Sequence, residues 1–363
     1  MFHNRLLNLI AKYQLIALVG IFVLLAGLVT YVLVFQLNYH PADSIEVKKL
    51  ATPAPLPGMK RINGQGTSAG EENLWPVAVA IDNHPEARPL YGLSRADVVY
   101  EFLVEGGATR FLAFYTPGQA EENKTEKIGP VRSVRPYFLP VVKEYNALLA
   151  HAGGSAEALN QIEKLAINNL EEISWWGPEY FWRVYSREAP HNLFTSSEKL
   201  LRATEEWKLK DLVSNYRPWL FSQDLSNNYK LNLAEKITIK FSSDDSYEAN
   251  FQYNTTTLAY ERLTNKEKNL DALNNQPIDA QNVIIQFISR EQTLDSLGRL
   301  AMEMTGAGDL WLFRDGIKIE GQWRKGSTEG RTIFYDQRHE ELPLKPGKIW
   351  IEVVPQGKEI SIE

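Results

Sequence analysis

The sequence contains no cysteine among its 363 residues. That absence excludes disulfide bonds, iron–sulfur clusters, thiolate zinc sites, cysteine nucleophiles and a lipid-modified cysteine. A chain that faces an export compartment without disulfides must be stable through packing alone, which is common in bacteria. The 44% hydrophobic content and the nine tryptophans are sufficient for substantial cores, so a disordered stalk is not predicted.

Charged side chains are missing from residues 15–35, which read LIALVGIFVLLAGLVTYVLVF. This uncharged run is long enough for a helix to cross the roughly 30 Å hydrocarbon core of a bilayer. Arg5 and Lys12 precede it, and no acidic residue occurs before Asp43. Residues 1–14 are therefore predicted to stay cytoplasmic, and the chain after the single membrane helix is predicted to be extracytoplasmic. A cleaved signal peptide is the alternative, although the run is too long and lacks a small-residue cleavage site.

The chain also lacks an excess of positive charge and lacks closely spaced histidines that could bind a metal. All 45 acidic residues and all but two of the 39 basic residues follow residue 42, and this acidic balance argues against nucleic-acid binding. His84, His151, His191 and His339 are too widely spaced for a helical zinc pair, so no metal site is predicted. No cofactor is predicted, and an Asp/Glu site for a divalent cation stays open without support. The Gly-x-Ser-x-Gly elbow of serine hydrolases is absent.

Composition divides the rest of the chain into four parts. Residues 36–73 are rich in Pro, Gly, Ser and Lys and are predicted to form a tether. An α/β or α+β domain is predicted over residues 74–215, and a polar junction over residues 216–230. Residues 231–363 are predicted to form a mainly β domain.

The N-terminal domain is predicted from alternating strand and helix patterns. Gly106 and Gly107 separate two strand-like runs and predict a hairpin. The spacing of Thr195 and Glu198 matches a capping box at the start of a helix. Strands are predicted over residues 77–81, 98–105, 110–115 and 147–151, and helices over residues 136–145, 156–166 and 195–208.

The C-terminal domain is predicted from short strands separated by turns. Asp315-Gly316 is predicted to be a hairpin turn, and a second hairpin turn is predicted at the glycines of residues 305–308. Strands are predicted over residues 237–241, 249–253, 257–262, 282–288, 309–314, 317–323, 331–335 and 349–354.

The first polar clusters follow or occupy strands. Asp82 is followed by Asn-His-Pro at the end of the first strand, a position where ligands bind in open α/β sheets. A simple turn is the alternative, because Asp, Asn and Pro are turn formers. Glu101 and Glu105, spaced i and i+4 in a predicted strand, are expected to project together near Arg110. Two such acids suit proton transfer, a metal site or a solvated edge.

Two further clusters indicate anion binding. Arg132, Ser133 and Arg135 lie between prolines in GPVRSVRP, and the planar guanidinium suits carboxylate or phosphate. Salt bridges from these arginines to Glu101 and Glu105 are the alternative. The HAGGS motif combines the end of a strand, a glycine turn and the start of a helix. The N-terminus of that helix could attract an anion. A structural role for the histidine is the alternative. This motif contributes His151, Gly153, Gly154 and Ser155.

A fifth segment, RVYSREAPHN, adds Arg187, His191 and Asn192. We expect the clusters to converge on one basic pocket in an acidic protein, suited to an anionic ligand. Its lining is predicted to be Arg132, Arg135, Arg187, His151 and His191, and Arg110 belongs to the same ligand-binding set. The candidate catalytic residues are Asp82, Glu101, Glu105 and His151.

Long motifs identify a resemblance over about residues 75–360. The segment VAVAIDNHPEARPLYGLSRADVVYEFLVEGGATRFLAFY, then KIGPVRSVRPYF, HAGGS and APHNLF, closely resembles the YerB-like lipoprotein family of bacteria, whose function is unknown. FRDGIKIEGQW and LKPGKIWIEVVP resemble the C-terminal domain of that family. The resemblance implies an envelope location. This chain departs from the lipoprotein pattern because an apolar segment stands in place of the lipobox cysteine.

Asp97, two strands, an Arg-containing Pro motif and then an Ala-Gly-Gly segment before a helix follow one another along the chain. This order is similar to that of the LytR-CpsA-Psr cell-wall ligases, and the resemblance implies a mechanism. In that family arginines hold a polyprenyl pyrophosphate during glycopolymer transfer. The resemblance implies that Arg132 and Arg135 hold the pyrophosphate, with Asp82 or Asp97 near a Mg²⁺ ion. The Pro-Arg-Asp sequence of those ligases is absent here, and Arg-Ser-Val-Arg stands instead.

The leading hypothesis is a membrane-anchored, extracytoplasmic bacterial protein that binds an anionic cell-envelope ligand, such as a glycopolymer, or an envelope protein. A glycopolymer phosphotransferase and a non-catalytic scaffold are the alternatives. Whether the chain is an enzyme is left open.

Overall fold

The computed structural model describes Thr30 and, beyond it, residues 57–174, 177–209, 216–225, 229, 232–264, 267–289 and 291–363. Apart from Thr30, the predicted cytoplasmic and membrane segments lie outside these residues, as does the first part of the predicted tether. Among the helices of the described residues, none has both the length and the apolar character needed to cross a membrane. Residues Thr52–Glu363 form one compact unit.

The N-terminal region is a mixture of strands and helices, as predicted. Its strands are β1 (Val77–Asp82), β2 (Val98–Leu103), β3 (Thr109–Tyr115), β4 (Leu148–His151), β5 (Asn169–Glu171), β6 (Trp182–Arg183) and β7 (Leu193–Phe194). Its α-helices are α1 (Leu139–Glu144), α2 (Ala156–Lys164), α3 (Gly177–Tyr180) and α4 (Ser197–Glu206). Short 3-10 helices occur at Pro85–Ala87, Leu93–Arg95, Glu105–Gly107, Glu121–Asn123 and Pro136–Phe138.

The C-terminal region is mainly β, again as predicted, with one 3-10 turn at Asp245–Tyr247 among its described residues. The predicted Asp315-Gly316 turn joins two long antiparallel strands. The strands are β8 (Lys236–Lys240), β9 (Ala249–Asn254), β10 (Ala259–Thr264), β11 (Glu267–Lys268), β12 (Asp279–Ala280), β13 (Asn282–Ile288), β14 (Gln292–Thr293), β15 (Leu300–Ala301), β16 (Gly306–Arg314), β17 (Ile317–Lys325), β18 (Ile333–Asp336), β19 (Ile349–Pro355) and β20 (Glu359–Ile362).

Strands from both regions form a single sheet. In the described residues this sheet has ten strands in the order β18-β17-β16-β13-β19-β2-β3-β1-β4-β5. Strand β19 lies between β13 and β2 and runs parallel to both. A second sheet, in the order β11-β10-β9-β8-β20, has β12 paired to β10. The N- and C-terminal regions therefore share one main sheet, and β19 connects them.

The central strands are mostly apolar and are buried on both faces, because both faces of the sheet are covered. Every residue of β1, β2 and β3 is buried, as expected for strands between two packed layers. On one face Phe102 stacks on Phe138, with ring centroids 4.5 Å apart, next to α1. On the other face Trp350 contacts Phe251 of the second sheet, with ring centroids 5.9 Å apart.

A buried polar network also joins the two regions. Glu144, at the end of α1, accepts hydrogen bonds from Lys325 Nζ at 2.8 Å and Arg331 Nη1 at 2.6 Å. The hydroxyl of Thr332 donates to the same carboxylate at 2.6 Å. Burial opposes ionisation, but the two cations lower the pKa of Glu144. The carboxylate is compensated only when both regions are folded together.

Residues 57–73, predicted to be tether, are part of the folded unit. Lys60 Nζ donates to Asp97 at 2.8 Å, and the amide of Asn63 donates to the same carboxylate at 3.0 Å. Ile62 is buried in the core. Composition misled here because Pro and Gly form the turns of a small packed hairpin as readily as they form a linker.

Two local predictions are wrong. The helix α4 is capped by Ser196, whose hydroxyl accepts from the Lys199 N–H at 3.3 Å, and not by Thr195. The Thr195 hydroxyl instead donates to the Tyr180 carbonyl at 2.8 Å. Gly306 and Gly308 lie within β16 and not in a hairpin turn. A side chain at Gly308 would meet Trp323, so the glycine permits a close approach within the sheet.

Because the regions share a sheet and a buried ion network, we expect residues 57–363 to unfold in one cooperative transition. Urea titrations followed by tryptophan fluorescence and by far-ultraviolet circular dichroism should give the same midpoint. Two separate midpoints, or a cooperatively folded fragment of residues 57–230, would contradict this expectation.

Candidate functional site

The predicted motifs meet around the segment 128–134. Val131 pairs with Ile81 beside β1, and the Arg132 N–H donates to the Ala80 carbonyl at 2.8 Å. On the other side, the Ala152 N–H donates to the Arg132 carbonyl at 3.0 Å, and the Val131 N–H donates to the Leu193 carbonyl at 2.7 Å. GPVRSVRP is thus held between the end of β1, the HAGGS turn and the start of β7.

Three arginines and two carboxylates come together at this junction. Arg110 lies opposite Asp82 in the register of β3 and β1. Arg132 Nε lies 3.0 Å from Asp82 Oδ2, and Arg135 pairs with Glu105. Each of these five charges influences the pKa of at least one other member. These five side chains carry more positive than negative charge.

Arg110 is the buried member of the cluster. Its Nη1 donates to the Ser133 carbonyl at 2.7 Å, whereas its Nε is buried without a hydrogen-bond partner among the described residues. Burial, together with the positive charges of Arg135 and Arg132, lowers the pKa of Arg110 to about 10. The guanidinium is therefore incompletely compensated by its protein surroundings.

Arg135 is neutralised directly. Its Nε and Nη2 make a bidentate pair with Glu105, with distances of 2.7 Å to Oε1 and 2.8 Å to Oε2. Burial opposes ionisation of the acid, but these hydrogen bonds and the charge of Arg135 lower the pKa of Glu105. The salt-bridge alternative is correct for this arginine and Glu105.

Asp82 is the acceptor at the centre of the site. The His84 N–H donates to its Oδ1 at 3.0 Å, and His191 Nδ1 lies 2.7 Å from its Oδ2. The residue is 3% exposed. Burial opposes ionisation, but Arg132 and these hydrogen bonds lower the pKa of Asp82. An ionised, low-pKa carboxylate positions its neighbours well and is a poor general base.

His191 also contacts the loop after β1. Its ring stacks on His84 with centroids 4.9 Å apart and an interplanar angle of 17°. Its Nε2 lies 3.4 Å from Glu86 Oε2. The sequence held no signal for this arrangement, because His84 and His191 are distant in the chain and meet only through the packing of two loops.

Glu101 and Glu105 do not project together, which corrects the prediction. Strand β2 ends at Leu103, and Glu105 belongs to a 3-10 turn, so the i, i+4 rule for strands does not extend to it. Glu101 is fully buried and pairs with Arg262 Nη2 at 2.7 Å. The Thr109 hydroxyl donates to Glu101 at 2.6 Å. Arg132 and Arg135 therefore do not pair with Glu101.

Glu352 lies next to Glu101 across the β19–β2 pairing. Its Oε1 accepts from Trp350 Nε1 at 2.9 Å. Burial and then the negative charge of Glu101 raise the pKa of Glu352 well above its ordinary value. Folded Glu352 therefore binds its proton more tightly than an ordinary glutamic acid does, and it lies beside Glu101, which pairs with Arg262.

His151 and the residues after it serve the local backbone. The fully buried ring lies 2.7 Å through Nδ1 from the Gly153 carbonyl and 2.6 Å through Nε2 from Asn169 Oδ1. A side chain at Gly154 would come within 2.9 Å of Val134. The Ser155 hydroxyl caps α2 by accepting from the Ala158 N–H at 3.2 Å. These groups position GPVRSVRP and leave His151 no free ring nitrogen.

The remaining predicted residues also have structural partners. Ser133 donates through its hydroxyl to the Ala152 carbonyl at 2.8 Å. Arg187 donates to the carbonyls of Ala87 at 2.5 Å and Pro89 at 2.8 Å, which ties its loop to the loop after β1. Asn192 accepts from Arg183 at 2.9 Å. Of the predicted pocket, the structure brings Arg132, Arg135 and His191 to the charge cluster.

A separate groove of about 500 Å³ lies over β16 and β17. Trp311 and Phe287 line it, and the charged groups along its described lining are Asp309, Glu320 and Asp336, with no lysine or arginine. An anion is therefore disfavoured in this groove, and the arginine cluster is the better anion site.

The fold and the motifs together define a protein with an N-terminal α/β region, a C-terminal β region and an arginine cluster around residues 128–134. Family models for the N-terminal and C-terminal domains of a protein of unknown function, DUF3048, match residues 64–210 and 237–351. The chain belongs to this family, and the predicted YerB-like relationship is confirmed. Neither model's description assigns an activity.

Two relatives illustrate the similarity. The protein named "Putative lipoprotein YerB" of Bacillus subtilis is 30% identical over 335 residues, which are 92% of this chain and 95% of the relative. The crystal structure of YerB protein from Bacillus subtilis superposes with a TM-score of 0.72 at 30% identity, covering 84% of this chain and 99% of that one. The relationship therefore extends over both regions.

The raised pKa of Glu352 predicts a pH dependence of stability. An acid whose pKa is raised on folding binds its proton more tightly when folded, so stability falls as pH rises above the ordinary value of 4.5 toward the raised value. Glu352→Gln removes this loss and retains a donor for Glu101. The variant should gain on the wild type by up to about 1.4 kcal/mol per pH unit, measured by urea unfolding between about pH 5 and 8. A difference that stays constant or shrinks with pH would show that Glu352 is ionised.

Proposed function

We propose that this chain is a membrane-anchored, extracytoplasmic protein that binds an anionic cell-envelope component through Arg110, Arg132 and Arg135. The observation that carries the proposal is the excess of positive over negative charge in the arginine cluster. Three guanidinium groups face two carboxylates, and the buried Nε of Arg110 has no hydrogen-bond partner among the described residues. A bound anion would supply the missing acceptor and the missing charge.

Arg132 is the residue best placed to contact a ligand. Its side chain is 22% exposed, whereas the Asp82 carboxylate beside it is 4% exposed. Its backbone is fixed on both sides by hydrogen bonds to Ala80 and Ala152. A guanidinium held in this way offers a planar pair of donors to phosphate or carboxylate without a large loss of side-chain entropy.

Binding is favoured over catalysis because the candidate bases are poorly suited to proton transfer. The pKa values of Asp82 and Glu105 are both lowered, and Glu101 is paired with Arg262 in the core. His151 has both ring nitrogens engaged. The phosphotransferase alternative would need a base from the ligand or from another group at the site.

The envelope location rests on the apolar segment 15–35 and on the relative's name. That relative is named a lipoprotein. This sequence contains no cysteine to carry a lipid, so the anchor proposed here is the apolar segment itself. The two proteins would then share a location and differ in how they are attached.

Inorganic pyrophosphate is the first ligand to test for the arginine cluster. We expect it to raise the melting temperature of residues 57–363 in the presence of a metal chelator, because a ligand at 100 times its Kd adds about 2.7 kcal/mol of stability. Arg132→Ala should abolish the shift. Arg299→Ala removes an equal charge from a half-buried pair with Asp295, outside the arginine cluster, and should retain the shift.

The outcome distinguishes the candidate functions. A shift that Arg132→Ala removes, without turnover of the ligand, supports binding. Turnover of the ligand would favour the phosphotransferase. If neither pyrophosphate nor anionic wall-polymer fragments raise the melting temperature, the anion-binding proposal is rejected. The non-catalytic scaffold is then the remaining candidate function.

The proposed topology predicts the result of protease treatment of intact bacterial protoplasts. Residues after the apolar segment should be digested from outside, and a tag before residue 15 should stay protected until the membrane is lysed. Deletion of residues 1–35 should leave the protein in the cytoplasmic fraction. Full protection of the folded region in intact protoplasts would contradict the extracytoplasmic placement.

A further inference from the structure

His84, Glu86 and His191 place three metal-binding side chains together beside the arginine cluster. One ring nitrogen of each histidine and one carboxylate oxygen all lie within 4.8 Å of one another. Zinc bonds to His nitrogen and carboxylate oxygen of about 2.0–2.2 Å require a tighter set. The His84 ring, stacked on His191 at an interplanar angle of 17°, must also turn so that a lone pair of each ring faces the ion, and its 45% exposure leaves room for that rotation. Glu86 is 74% exposed, so its side chain can rotate inward without disturbing the core.

The buried residue of the set is oriented by a carboxylate. His191 is 7% exposed, and its Nδ1 lies 2.7 Å from Asp82 Oδ2. A proton shared with Asp82 on Nδ1 leaves the lone pair of Nε2 free, and Nε2 is the atom that lies 3.4 Å from Glu86. A carboxylate that fixes the tautomer of a ligand histidine is the recurrent outer shell of metal sites.

The two loops that carry these side chains are tied together independently of the cluster. Arg187, four residues before His191, donates to the carbonyls of Ala87 and Pro89, which follow Glu86. His84 begins the 3-10 turn Pro85–Ala87, and its Nδ1 accepts from the Glu86 N–H at 3.3 Å. The backbone therefore holds the two loops next to each other before any ion binds, and the side chains of His84 and Glu86 turn toward the ion.

From this geometry we propose that His84, Glu86 and His191 bind a divalent transition-metal ion, with zinc as the best match, and that Asp82 positions His191. Two imidazoles and one carboxylate suit zinc and leave a coordination position open. The spacing of the histidines in the sequence did not predict this site, because His84 and His191 come from different loops. The inference does not rest on the proposed anion binding.

The open position would lie on the side of the site where anions are expected. His191 and Arg132 both contact Oδ2 of Asp82. An ion on His191 would therefore add positive charge next to Arg132, and a phosphate group could contact both. An alternative explanation for the same contacts is a protonated His191 that bridges Asp82 and Glu86 without a metal.

Metal titration of the stripped protein distinguishes these explanations. Residues 57–363 are treated with chelator, desalted into a phosphate-free buffer, and titrated with Zn²⁺ by calorimetry and with Co²⁺ by visible absorption. We expect one equivalent of each metal to bind, and a Co²⁺ spectrum of low coordination number. Asp82→Asn should weaken binding about 10–100-fold, the usual effect of losing an outer-shell carboxylate.

The ligand variants and their control decide the assignment. His84→Ala, Glu86→Gln and His191→Ala should each weaken binding more than Asp82→Asn does, and His339→Gln, an exposed histidine outside the set, should not. Glu86→Gln alters an exposed side chain, so its loss of affinity is not an effect of misfolding. Absence of Zn²⁺ and Co²⁺ binding, or equal affinity in the ligand variants and His339→Gln, would overturn the proposal. Since the pyrophosphate test uses chelated protein, either proposal can fail alone.

Discussion

The pairing of β19 with β2 is the contact on which the remaining structure depends. It inserts a C-terminal strand next to an N-terminal strand, and it places Glu352 opposite Glu101 in the sheet interior. Arg262 of the second sheet compensates that acidic pair from one face of the sheet. On the opposite face Lys325 compensates Glu144 of α1. In both of these pairs the carboxylate belongs to the N-terminal region and the cation to the C-terminal region, so the folding of one region alone would leave these buried charges unpaired.

The same frame positions the charge cluster. Strand β1 ends at Asp82, and the segment 128–134 is fixed between β1, the HAGGS turn and β7. The motifs that carry the family resemblance are therefore mostly backbone supports for a few exposed groups. Arg132 stands at the edge of this support with an adjacent carboxylate. Such an arrangement suits the anion binding proposed above, because it would position the guanidinium before a ligand arrives.

Much of the local structure could be predicted from pattern. Strands β1, β3 and β13 and helix α2 were found because a buried strand or an amphipathic helix has a period that short-range sequence displays. The errors occurred where a residue type has more than one use. Glycines of residues 305–308 suggested a turn, whereas Gly308 makes room for Trp323. Glu105 was assigned to a strand, but the strand ends two residues earlier, so its partner became Arg135.

The sequence by itself determined the class of elements, the absence of thiol chemistry, the apolar segment 15–35 and the family. It also showed that basic residues gather in a few motifs on an acidic chain. Only the tertiary structure decided which acid meets which arginine, that His151 serves the backbone, and that His84 and His191 stack against each other. The physical reason is that periodicity and turn chemistry act over a few residues. Partner choice among buried charges depends on desolvation and on contacts between distant segments.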